Sequence, residues 1–129
     1  MKKIFYFFLF LVLVGSYSQL QAQSCDILYF CVSYDGKEVD CSDRFYAGKL
    51  TVMARLAKEI YYTKVTVQLD KYNPREGKFE YYKEYPFDTE SDMTYIYFPG
   101  VEFSDKGFYR VFLLDPNKNT ITSALVEII

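Results

Sequence analysis

The sequence predicts an all-β protein, a sandwich of about seven antiparallel strands preceded by an export signal. Three observations carry this reading. Runs rich in Tyr, Phe, Val, Ile and Thr recur about every 8–12 residues, as strands do. Residues with turn chemistry separate them. Several runs alternate apolar and polar side chains with a period of two, which indicates sheets with one buried face.

The first element is not part of the sandwich. Met1-Lys2-Lys3 precedes an apolar run from Ile4 to Val14, and Gly15 to Ala22 form a polar, small-residue exit. A basic tip, a short apolar stretch and such an exit are the three parts of a secretory signal. A membrane-spanning helix needs about 20 apolar residues, and this run has 11. Cleavage after Ala22 assigns residues 1–22 to the signal and residues 23–129 to one domain, a size suited to one core and not two. Losing Lys2 and Lys3 takes the formal net charge from −2 to −4. A mildly acidic chain with no basic cluster argues against nucleic acid as a partner. The chain is therefore expected in the periplasm, at the cell surface or in the medium.

Candidate strands follow in order: Ile27 to Tyr34, Lys49 to Ala57, Lys64 to Tyr72, Phe79 to Tyr85, Thr94 to Phe98, Phe108 to Leu114 and Thr120 to Ile128. Asp35-Gly36, Asn73 to Gly77, Pro99-Gly100 and Asp115 to Asn119 supply turns. Leu50, Val52, Ala54 and Leu56 share one strand face, with Thr51, Met53 and Arg55 on the other; Val65, Val67 and Leu69 oppose Lys64, Thr66 and Gln68. Met53 to Tyr61 contains good helix formers, but it lacks a clear cap and continues an alternating strand.

Three cysteines remain after the signal, and an exported location permits disulfides. Cys31 with Cys41 is the simplest pairing. Cys25 is then the odd one, although a bond from Cys25 to either of the others, or a buried thiol there, stays open. Cys25 also lies where the first, lipidated residue of a lipoprotein would lie, and a lipid there would be the chain's only attachment to a membrane. Ala22-Gln23-Ser24 before it suits that processing poorly.

Asp105-Lys106-Gly107-Phe108-Tyr109-Arg110-Val111 resembles the D-x-G-x-Y-x-C element of immunoglobulin domains. The resemblance implies an immunoglobulin-like sandwich in which Gly107 permits a tight corner and the Tyr109 hydroxyl bonds back to backbone. Val111 stands where that family has a cysteine, and the chain has no Trp, which sets it apart from antibody-type domains. The lysine tip and the Gln-Ala-Gln exit resemble bacterial secretion signals of the Bacteroidetes type.

Chemistry is sparsely signalled. There is no His, so the usual general base and metal ligand are missing. No Cys-x-x-Cys pair and no phosphate-binding glycine loop occur, and no catalytic, cofactor or metal residue is assigned. Asp88, Glu90 and Asp92 form the densest acidic stretch; without the Gly and terminal Glu of a calcium loop, it reads as a solvated connection.

The expected function is therefore non-enzymatic. If Tyr109, Val111 and Leu113 face the core, then Phe108, Arg110, Phe112 and Leu114 lie on the outer face as a contact patch. Its expected occupant is another envelope or extracellular protein, or a second copy of the chain. The segment Tyr81 to Phe87 could instead cover the patch. A second reading is carbohydrate binding through exposed tyrosines, because adjacent pairs such as Tyr61-Tyr62 and Tyr81-Tyr82 cannot all point inward.

Overall fold

The computed structural model describes residues 25–129, so the signal assigned to 1–22 lies outside the described residues. Nine strands form, and no helix is present among the described residues. They are β1 (Ile27–Tyr34), β2 (Glu38–Ser42), β3 (Arg44–Phe45), β4 (Gly48–Arg55), β5 (Lys64–Asn73), β6 (Lys78–Asp88), β7 (Tyr95–Phe103), β8 (Gly107–Leu114) and β9 (Thr120–Ile128). One sheet has the order β2-β1-β4-β7 and the other β3-β9-β8-β5-β6. All pairings are antiparallel except β3 with β9.

The seven expected strands are present, and β2 and β3 are additional. Glu38-Val39-Asp40-Cys41-Ser42 is too polar to alternate, and Asp40 takes a positive φ of 51°. The two residues of β3 are too few to show a period. Both are strands because neighbours supply their hydrogen bonds, a tertiary effect that local propensity does not encode.

The sheets meet through their alternating apolar faces. Phe30, Val52, Phe98 and Phe103 from the four-stranded sheet pack toward Val67, Leu69, Tyr109, Val111 and Leu113 from the five-stranded one. Phe103 forms edge-on ring contacts with Phe30 at 6.5 Å and with Tyr109 at 5.2 Å, so aromatic stacking crosses the interior. At the open edge the Tyr85 hydroxyl on β6 donates to the Glu102 carbonyl on β7 and accepts from its N–H. One side chain thereby satisfies two backbone groups that no strand pairs.

β4 departs from the expected single buried face. Leu50, Val52 and Ala54 are in the core, yet Thr51 and Met53 on the opposite side are buried too, and Met53 is 0 % exposed. Beyond Cys31, β1 is no longer paired with β4 and continues only against β2. The resulting hairpin carries Tyr34 to within 4.6 Å of the Tyr97 ring and 5.8 Å of Tyr95. It folds over the outer face of its own sheet, the face on which Met53 is buried.

Candidate functional site

The expected patch lies on β8, whose alternation is set by its corner. Gly107 opens the strand at φ 141°, a conformation that L side chains rarely adopt, and an added Cβ would meet the Lys71 Cε at 3.3 Å. Two residues on, Tyr109 is fully buried and its hydroxyl donates to the Asp105 carbonyl at 2.6 Å. Tyr82 donates to the Asp105 carboxylate at 2.8 Å and packs its ring 5.3 Å from Tyr109. Burial, reinforced by Tyr82, holds the Tyr109 phenol far above its ordinary pKa. The corner fixes Tyr109, Val111 and Leu113 inward, and the intervening residues outward.

Phe108 is 52 % exposed, while Arg110 and Phe112 are half-buried. Leu114 corrects the expected patch: it is only 6 % exposed. Its register with Thr66 keeps it on the outer face, but a bulge between Leu113 and Leu114 leads into the 115–119 turn. Asp115 holds that turn by accepting from the N–H groups of Asn117 at 2.8 Å and Asn119 at 2.9 Å. Lys118 then donates to Glu84 at 3.0 Å and Thr66 at 3.4 Å, closing over the leucine.

Strand register adds residues that the β8 pattern alone does not disclose. Leu125 on β9 is paired with Arg110 and is 50 % exposed. On the other side Asp70 on β5 is paired with Arg110, and Tyr81 on β6 with Asp70; Tyr81 is 60 % exposed. Tyr72 and Phe79 are paired on the same face, with ring centroids 5.3 Å apart. The Arg110 guanidinium lies 5.4 Å above the Phe79 ring and makes no ion pair with Asp70. Asp70 accepts instead from the Gln68 amide at 3.0 Å. Segment Tyr81 to Phe87 does not cover the patch, because it belongs to β6 and extends the same sheet; a bulge turns Tyr82 inward and leaves Tyr81 outside.

The outer face of the four-stranded sheet is organised differently. Glu38 on β2 accepts at Oε1 from the hydroxyls of Tyr29 and Tyr95, the latter at 2.5 Å. Arg55 reaches the same oxygen at 3.4 Å and the Tyr29 hydroxyl at 3.0 Å, with its guanidinium over both rings. The two phenols, Tyr29 first, hold the Glu38 carboxyl below its usual range. Burial and the carboxylate in turn push Tyr29 well up, and the Glu38 contact raises Tyr95. This clasp fastens the hairpin at its tip, and the Cys31–Cys41 disulfide fastens it at its base. Cys25 lies outside that bond and is exposed, so neither alternative pairing is formed.

Among the described residues, Cys31, Glu38 and Cys41 are the one His/Cys/Asp/Glu group with ligand atoms close enough to share a metal. Their two sulfurs are joined to each other, and a disulfide has no thiolate to offer a cation. Asp88, Glu90 and Asp92 do not converge: Asp88 ends β6 opposite Lys64, and Glu90 and Asp92 lie in the connection that follows. No known protein family, curated protein or solved structure matches this chain.

Proposed function

We propose that the chain is an exported, non-enzymatic immunoglobulin-like module that docks on another protein through the outer face of its five-stranded sheet. The observation that carries this is the group Leu125, Phe108 and Tyr81, exposed around Arg110 with no element among the described residues over it. An uncovered group of large apolar side chains on a small domain marks an interaction surface, and aromatic residues with Arg are enriched at interface centres.

The immunoglobulin-like assignment is supported by strand order as well as by the corner. β1-β4-β7 facing β5-β8-β9 has the order of such sandwiches, with β2, β3 and β6 as additions. The Tyr109 hydroxyl donating to backbone four residues upstream has the geometry of the tyrosine corner. Export is supported by the Cys31–Cys41 disulfide, which suits an oxidising compartment. Carbohydrate stacking has less support. Tyr46, Tyr61 and Tyr81 are exposed on separate parts of the fold, and the Tyr95 hydroxyl is held by Glu38.

Two experiments test the proposal. The intact mass of the chain from its native envelope fixes the cleavage site and reveals a lipid on Cys25 if one is attached. Phe108→Glu and Phe112→Glu are expected to leave the fold intact by circular dichroism while abolishing association with the envelope partner. Unchanged association in both variants would remove this face from the function.

A further inference from the structure

We infer that the occupant of the five-stranded outer face is a second copy of this chain, related by a two-fold axis lying between β8 and β5. This rests on reading that face as a docking surface and adds the identity of the partner. The registers of β9, β8, β5 and β6 place the outer residues in rows: Leu125, Arg110, Asp70 and Tyr81 form one, and Phe108 with Tyr72 and Phe79 another.

A two-fold axis parallel to the strands, in the plane of contact, carries β8 of one copy over β5 of the other and β9 over β6. Arg110 then faces Asp70 of the second copy, and Asp70 faces Arg110 of the second copy. Leu125 meets Tyr81, and Phe108 meets Tyr72, each contact occurring twice. This is the self-complementarity that an isologous interface demands.

Charge supports the match. Arg110 and Asp70 are neighbours by register but do not pair within the chain, so both remain available across the interface. Glu127 and Glu84 on this face are already neutralised locally, by Arg44 at 2.7 Å and Lys118 at 3.0 Å, and Lys64 and Asp88 at its far end are opposite in sign and paired by register. A like copy therefore meets no net repulsion.

Size supports it too. The four overlapping strands β9, β8, β5 and β6, over eight residues, span about 19 by 26 Å in projection, or roughly 500 Å² before side-chain relief. Small transient interfaces bury up to about 600 Å² per partner, so the dimer is expected to be reversible.

Sedimentation velocity on the purified exported chain, from about 1 μM to about 1 mM to span weak affinities, is expected to show concentration-dependent dimerisation. Arg110→Asp and Asp70→Arg should each weaken it by about 100-fold, because each reversal sets like charges opposite one another. Mixing those two variants in equal amounts should restore a heterodimer, since each then supplies the charge that the other lacks. Recovery by mixing also shows that both variants are folded; Leu125→Arg provides a further disruption that leaves the charge pair untouched.

A wild-type chain that stays monomeric throughout would overturn the inference, as would charge reversals without effect or a mixture that does not associate. A photo-cross-linking residue in place of Phe108 in producing cells separates this failure from failure of the docking reading. Adducts with a different protein, beside a monomeric purified chain, would overturn the second-copy inference and retain docking. No adduct of either kind would overturn both.

Discussion

The two sheets of this sandwich treat their outer faces in opposite ways. The four-stranded sheet folds its own β1–β2 hairpin over itself, pins it with a disulfide and a carboxylate clasp, and buries Met53 beneath. The five-stranded sheet leaves Phe108, Leu125 and Tyr81 open to solvent. The contrast teaches that exposure on the second face is not forced by the small size of the domain. The first face acquired a cover from its own hairpin; the second did not.

The largest expected difference between the faces is in packing. Met53→Ala removes a fully covered side chain and should cost about 2–5 kcal/mol of stability by chemical denaturation. Phe108→Ala on the open face should change stability by about 0.5 kcal/mol or less. Equal effects would mean that the hairpin does not close the first face.

Next comes the disulfide. Its cysteines are 10 residues apart in sequence, and loop closure on that scale is worth about 2–3 kcal/mol. Cys31→Ala/Cys41→Ala should lower stability by that amount and speed hydrogen exchange in β2. The β8 and β5 amides should keep their protection, apart from the global loss. Uniform loss across both sheets would refute the separation of the two faces.

The corner is the third test, because it sets the phase of the open face. Tyr109→Phe leaves the Asp105 carbonyl without its buried donor, which should cost about 1–3 kcal/mol. Gly107→Ala forces a Cβ into a positive-φ position, with a cost of about 1–3 kcal/mol. Either variant should also weaken whatever association Phe108 supports, since β8 would no longer be held in phase.

These residues differ in how far their roles were legible in the sequence. The corner was readable because its residues are four apart and strand alternation does the rest: Tyr109, Val111 and Leu113 are inward as the period of two requires. Leu114 lies on the outer face as alternation requires, yet it is buried there, because that rule describes a strand and knows nothing of the turn folding back over its end. Leu125, Asp70 and Tyr81 are on the open face through register, which strand spacing does not determine. The Glu38 clasp left no local signal. Its members Tyr29, Arg55 and Tyr95 lie 9, 17 and 57 residues from Glu38, and each alone looks like an ordinary polar surface residue.

The smallest effect sharpens the comparison through pH. The Glu38 pKa is lowered by Tyr29 and Tyr95, so its contribution is complete above the ordinary carboxylate value of about 4.3 and is lost as pH falls through the lower folded value. The Tyr29 and Tyr95 phenols are raised, Tyr29 chiefly by burial and Tyr95 by Glu38. Their contribution is complete below about pH 10 and disappears as pH rises through the higher folded values. The clasp is therefore intact on a plateau between the two and weakens on both sides. Thermal melts of the wild type and of Glu38→Gln should differ most on that plateau and converge in acid, where Glu38 itself becomes neutral. An unchanged difference between pH 7 and pH 3 would show that the carboxylate charge does not hold the hairpin. The same acid titration should loosen the hairpin tip, away from the disulfide, and leave the β8 corner closed, because Tyr109 donates to a backbone carbonyl that does not titrate.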